Sequence, residues 1–310
     1  AYDAHCRDFR FLVTGSGRLD LFKKGGDSLL GRYLAAPLFP LSVGELSGRL
    51  PSWARFKESL QDPPAAEPRA LEAYQALFKF SGFPEPFLKA DTSFYNTWFQ
   101  ERKSLLVRED IRNAANIREI SLMETLSHLI PDKVGAPLST NSLKEDVGVA
   151  FETVRDWLLL LERFYYMTRI SPFSGSVVRA LRKETKAYLY DWVEVPQDGF
   201  RFENMVALHL LKAVSTWRAM GEGDIGLHYV RDKEKNEVDF LLTEKRRPFC
   251  LVECKLSDTS LSPALSLYQD RLKVPTAVQL VHVGGVCRKT VRAGTTRWVI
   301  SADRWLDVLP

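Results

Sequence analysis

The sequence predicts a multi-domain α/β protein, and three observations carry that prediction. The chain has 310 residues, enough for about two domains at roughly 150 residues each. Residues 176–310 alternate β-rich runs with amphipathic helical ones, the pattern of an α/β unit around a mixed sheet. Residues 116–175 run helix, glycine turn, helix and strand, the order of a winged helix-turn-helix.

Composition narrows the function classes. Apolar residues make up 45% and charged residues 26%, an ordinary globular mix. The net charge of +4 excludes an acidic tail or a histone-like polycation and permits nucleic-acid binding. No apolar run approaches the ~18–20 residues needed to span a bilayer, and Tyr2–Arg10 is too polar for a secretory signal. A cytoplasmic protein with no membrane partner is expected. Cys6, Cys250, Cys254 and Cys287 are too few for a disulfide scaffold and lack zinc spacing, so all four are read as reduced thiols.

In chain order, Phe9–Thr14 reads as a buried strand, which implies that covering sequence precedes it. A glycine-rich loop and a proline-rich stretch follow, with a surface linker at Asp62–Glu67 and helices over Ala70–Phe80 and Thr92–Arg112. Ile117–Leu129 repeats apolar residues at helical spacing until Pro131. Ser139–Ser142 caps a short helix, Leu143–Val147, then Gly148 turns the chain into Phe151–Arg163, and Phe164–Ile170 reads as a strand. Further strands are expected at Ala187–Asp191, Leu227–Val230, Glu237–Thr243, Pro248–Leu256, Ala277–Val283 and Trp298–Ser301. Helices are expected at Phe202–Met220, Leu261–Leu272 and Ala302–Val308.

The chemistry concentrates in the third region. Strand alternation in Glu237–Leu242 turns Val238, Phe240 and Leu242 one way and Glu237 and Asp239 the other. In Leu251–Lys255, Glu253 and Lys255 are two apart and share a face. If these strands pair, Asp239, Glu253 and Lys255 converge at one sheet edge, and Glu203, in the first turn of the preceding helix, adds a carboxylate. Such a set suits metal-assisted phosphodiester hydrolysis: Glu203, Asp239 and Glu253 hold Mg²⁺ or Mn²⁺, and Lys255 orients water or offsets developing charge. The competing reading is a solvent-facing sheet with Asp239 and Glu253 paired to Lys255 and Lys235. The five histidines do not cluster and are read as structural or surface residues.

Gly15-Ser16-Gly17 follows a strand, but a dinucleotide fingerprint needs glycine where Asp20 stands. A P-loop starting at Gly26 meets Arg32 and Tyr33 where Lys and Ser/Thr are required.

Several motifs together resemble a widespread group of prokaryotic AAA-type ATPases. They are Phe11–Ser16, Gly17–Asp20, Gly25–Tyr33, Phe39–Ser42, Gly82–Pro86, Lys186–Asp191, Phe202–Asn204, Glu237–Phe240 and Val252–Lys255. The resemblance implies the C-terminal remnant of an AAA-type ATPase domain with a helical lid over 1–115. A winged helix-turn-helix over 116–175 and a PD-(D/E)xK restriction-endonuclease-like domain over 176–310 would follow. It places Thr14 or Ser16 at an ATP-sensing position and makes Arg32 an arginine finger or sensor. The family's P-loop and Mg²⁺-binding acidic strand lie upstream of Phe11, so ATP belongs to the full-length parent only.

Two functions follow. In the first, an ATP-dependent protein acts on DNA through a Mg²⁺-dependent C-terminal nuclease, with Arg155 and Arg163 of the winged domain facing phosphates. In the second, the chain is a catalytically inactive module that grips DNA, a protein partner or a second copy of itself, switched by the parent ATPase. Basic residues at Arg179, Arg182, Lys183, Lys186, Arg288, Lys289, Arg292 and Arg297 would form a track for a nucleic-acid backbone.

Overall fold

A computed structural model of the chain describes residues 12–15, 36–115, 117, 119–174, 184–292 and 294–310. Within them a six-stranded mixed sheet stands between two helical layers, and a helical arm from the first half of the chain packs onto the same core.

The arm holds α1 (Val43–Ser47), α2 (Trp53–Ser59), α3 (Pro68–Phe80), α4 (Pro84–Lys89) and α5 (Thr92–Leu105). The expected helix over Thr92–Arg112 is interrupted: α5 passes into a π-helical turn, Leu106–Ile111, before α6 (Arg112–Ala115). Ser42 and Glu45 close a capping box on α1, satisfying donors that a helix start leaves free. Leu12–Gly15 form no strand, and Leu12 and Val13 are exposed. An apolar run becomes a strand only where neighbours pair with it, and no described residue pairs here.

Then come α7 (Ile120–Leu129), which runs past Pro131 as a 3₁₀ turn to Lys133, α8 (Thr140–Val147) and α9 (Phe151–Arg163). Gly148 caps α8 in the left-handed region, φ 77°, where a Cβ is disfavoured. Val154, Trp157, Leu158 and Leu161 form the buried stripe of α9. The strand expected from Phe164 begins at β1 (Met167–Ile170), because Tyr165 takes a positive φ and breaks the extension. β1 pairs antiparallel with β2 (Lys186–Leu189), across the boundary expected at 175/176.

Helix α10 (Asp198–Ala219) leads to β3 (Ile225–Arg231), β4 (Glu237–Glu244), β5 (Arg247–Lys255), α11 (Pro263–Leu272), β6 (Thr276–Val281), β7 (Cys287–Arg292), β8 (Thr295–Ser301) and α12 (Ala302–Leu306). The sheet order is β3-β4-β5-β6-β8-β7. β5, β6 and β8 run parallel; the other pairs are antiparallel. Phe240, Leu242, Cys250, Val252, Val278 and Ile300 face the main core with α10, whereas Val238, Leu241, Leu251 and Ala277 face the smaller core with α11. Burial on both faces explains why these strands read as nearly continuous apolar runs.

The arm is tied to this unit by specific bonds. Indole N–H groups donate from Trp192 to the Leu77 carbonyl, from Trp217 to that of Pro51 and from Trp298 to that of Leu60, at 2.8–2.9 Å. Arg304 reaches the carbonyls of Pro63 and Pro64, so the segment expected as a surface linker is pinned to α12.

Candidate functional site

A bulge in β4 shapes the site. His228 pairs with Leu241 and Val230 with Val238, so Asp239 and Phe240 together oppose Tyr229. One extra residue re-aims the side chains after it. The strict alternation expected along Glu237–Leu242 therefore fails: Val238 faces the α11 core, while Phe240 and Leu242 face the main core. Asp239 is left beside the end of β5, where its Oδ2 accepts the Cys254 N–H at 2.8 Å.

Glu203 comes from α10, which begins at Asp198, so it stands in the second turn rather than the first. It is buried, and its Oε1 accepts from Lys186 Nζ at 3.0 Å and from the Tyr188 hydroxyl at 2.8 Å. Lys186, at the start of β2, has no exposed side-chain surface. It also meets Glu237 Oε1 at 2.6 Å and Asp239 Oδ1 at 3.7 Å, and it sits 5.6 Å above the Tyr229 ring. Arg231 pairs with the other Glu237 oxygen at 2.9 Å. The neighbour of Asp239 is thus Lys186, not the Lys235 of the competing reading.

On β5, Lys255 Nζ lies 2.7 Å from Glu253 Oε1, and the pair shares a strand face as expected. Lys255 is 37% exposed and Glu253 only 7%. The second oxygen, Glu253 Oε2, is buried with no hydrogen-bond partner. A buried charged oxygen without a partner is costly.

Burial pushes the carboxyls of Glu203, Asp239 and Glu253 upward. The Asp239 charge pushes Glu203 and Glu253 further, while Lys186 pulls Glu203 and Asp239 back and Lys255 pulls Glu253 back. Burial works against the Lys186 ammonium, but Glu203, Asp239 and Glu237 outweigh it and hold its pKa above the ordinary lysine value.

Among the described residues, no cluster of three or more His, Cys, Asp or Glu side chains is arranged around a metal position. The donor chemistry still fits one hard cation. Mg²⁺ takes one or two carboxylates and keeps waters. Asp239 and Glu253 repel each other on adjacent strands, and Glu253 Oε2 is unused. Glu203 is engaged by Lys186 and Tyr188.

The remaining expected residues lie elsewhere. Thr14 is exposed and outside regular structure; Ser16 and Arg32, like Arg179, Arg182 and Lys183, fall outside the described residues. Arg155 and Arg163 are exposed on α9, Arg155 paired with Asp156 at 3.0 Å and Arg163 lining a shallow groove with Ile117, Trp157 and Leu160. The late basic residues do not act as one set. Lys186 is buried among carboxylates and Arg297 pairs with Asp270, while Arg288, Lys289 and Arg292 lie on the exposed edge strand β7. Among the described histidines, His209 is a core residue: Nδ1–H donates to the Met205 carbonyl and Nε2 accepts the Val43 N–H.

Sequence reasoning missed Lys186, Glu237 and Tyr188 as members of the site. The available signal was a lysine opening an otherwise apolar strand, Lys186–Leu189, where a charge needs a buried partner.

Fold and site together define a mixed α/β protein with a buried carboxylate–lysine cluster on its C-terminal sheet. Residues 198–301 match a domain of unknown function, DUF4143, and residues 71–192 match another, DUF8612. An uncharacterized protein of Methanocaldococcus jannaschii, MJ1544, is 24% identical over 285 residues, covering 86% of this chain and 60% of that protein. The chain thus spans about 60% of the length of this curated relative. No solved structure matches the chain. None of the helices among the described residues is long and apolar enough to cross a membrane.

Proposed function

We propose that the C-terminal unit is a Mg²⁺- or Mn²⁺-dependent nuclease module of a DNA-associated ATPase. The observation that carries the reading is Glu253: a buried carboxylate with one oxygen on Lys255 and the other unpartnered, beside Asp239 on the adjoining strand.

In this reading Asp239 and Glu253 would hold the cation, which when bound would supply a more acidic water and charge neutralisation at the phosphate. The Cys254 N–H fixes one Asp239 oxygen, leaving the other turned toward Lys186. Lys255 is the exposed end of the set; it would meet the scissile phosphate, where its ammonium would offset developing charge. The winged-helix reading of α8, α9 and β1 rests on the order of elements in the sequence and on the resemblance; the PD-(D/E)xK reading of β4 and β5 and ATP hydrolysis by a longer parent chain rest on the resemblance.

The experiment is incubation of the chain and of Asp239→Ala with linear and supercoiled DNA, in Mn²⁺ or in chelator. Metal-dependent cutting lost in the variant supports the reading; equal cutting by both refutes it.

One observation favours the second reading, an inactive DNA- or protein-binding module: Lys186 already neutralises carboxylates in the cluster. Salt-sensitive DNA retention without cutting at any Mn²⁺ concentration is its signature.

A further inference from the structure

We propose that the Lys186 ammonium stands where a second divalent cation would sit, so that the site takes a single Mg²⁺ or Mn²⁺ on Asp239 and Glu253 and Glu203 is not a ligand. The inference rests on the metal-site reading above and deepens it.

An ammonium carries three donors and accepts nothing. With no exposed surface, Lys186 cannot satisfy them with bulk water. Glu203 Oε1 and Glu237 Oε1 take two at 3.0 and 2.6 Å, and the third side of the group faces Asp239 Oδ1 and the Tyr229 ring. Withdrawing it would strand buried carboxylates, a cost of the kind that keeps such groups paired.

Lys186 and Arg231 stand against Glu203, Glu237 and Asp239, while Glu253 is already matched by Lys255. With every carboxyl ionised this leaves one uncompensated negative charge. One divalent cation more than meets it; two would leave a large positive excess in a water-poor site, where charges interact strongly.

Lys186 begins a strand buried along its whole length, forms a β-bridge with Pro137 and pairs with Ile170. Its ammonium is a fixed part of the site rather than a mobile counter-ion.

The test counts Mn²⁺ bound to the whole chain, following free Mn²⁺ by electron paramagnetic resonance. One ion per chain is expected. Glu203→Gln should keep that ion, with no more than the ~10–100-fold loss of affinity that an outer partner of a ligand costs, whereas Asp239→Asn should abolish binding. Lys186→Met should admit a second ion; if that variant does not fold, the wild-type count and Glu203→Gln decide. Two ions in the wild type, a loss of binding in Glu203→Gln as complete as in Asp239→Asn, or a folded Lys186→Met that still binds one overturn the inference and leave the metal reading standing. No Mn²⁺ bound by the wild type overturns both.

Discussion

Lys186 and Glu203, 17 residues apart in sequence, meet at 3.0 Å in the core, where the lysine has no exposed surface and the carboxylate almost none. The contact joins β2 to α10, and through Glu237 and Asp239 it joins both to the bulge in β4. The sequence motif of the candidate nuclease is therefore embedded in a larger buried charge network.

That network makes Lys186 a stability determinant. Lys186→Met leaves Glu203, Glu237 and Asp239 without their shared cation, and breaking a buried pair from one side costs about 3–5 kcal/mol. Urea unfolding should show a lower midpoint with an unchanged slope. Adding Glu203→Gln should return part of the loss. A change below about 1 kcal/mol, the size of an exposed ion pair, would contradict the burial described.

His209 sets an acid dependence. Burial holds its pKa down at about 4, and its Nε2 accepts the Val43 N–H, which requires the neutral ring. The folded pKa lies below the unfolded value near 6.5, so this contribution is complete above pH ~6.5 and is lost as pH falls toward 4. The loss should be on the order of 2–3 kcal/mol. Because carboxyls raised by burial act in the opposite sense, the measurement is the difference in unfolding free energy between wild type and His209→Gln from pH 7 to 4. A difference that stays constant over that range would refute the assignment.

Gly44 tests the joint between the helical arm and the chain's last residues. A Cβ there would overlap the Leu309 carbonyl, with the Asp307 carbonyl also close. Both are backbone, so neither can rotate away. Gly44→Ala should destabilise by about 1–3 kcal/mol, as overpacking does, despite alanine's better helix propensity. Thermal unfolding of that variant should come earlier than wild type; a higher midpoint would show that the joint is loose.

Much of the architecture was legible because it follows burial. The stripe on α9, the Gly148 turn and the apolar runs of β4, β5 and β6 each declare their environment in residue type. Strand β7 was not legible: all six of its residues are exposed, and an edge strand with no buried face has no alternation to read. Helices α1 and α2 are too short for a periodic signal, although Ser42 and Glu45 carried the capping box. At the site, Asp239, Glu253 and Lys255 stood out as charges inside apolar strands. Their relation to Lys186 did not, since it depends on a bulge and on the placement of β2, which local sequence does not specify.

Glu253→Gln tests the central claim most directly. The change removes one charge, keeps the shape of the side chain and eases burial of the group that carries the functional reading. DNA cutting in Mn²⁺ is compared between wild type and variant, with folding of both confirmed by urea unfolding. Metal-dependent cutting by the wild type is expected, with a loss in a folded variant at least as large as the ~10–100-fold that an outer partner of a ligand costs. Cutting at the wild-type rate by Glu253→Gln would contradict the claim.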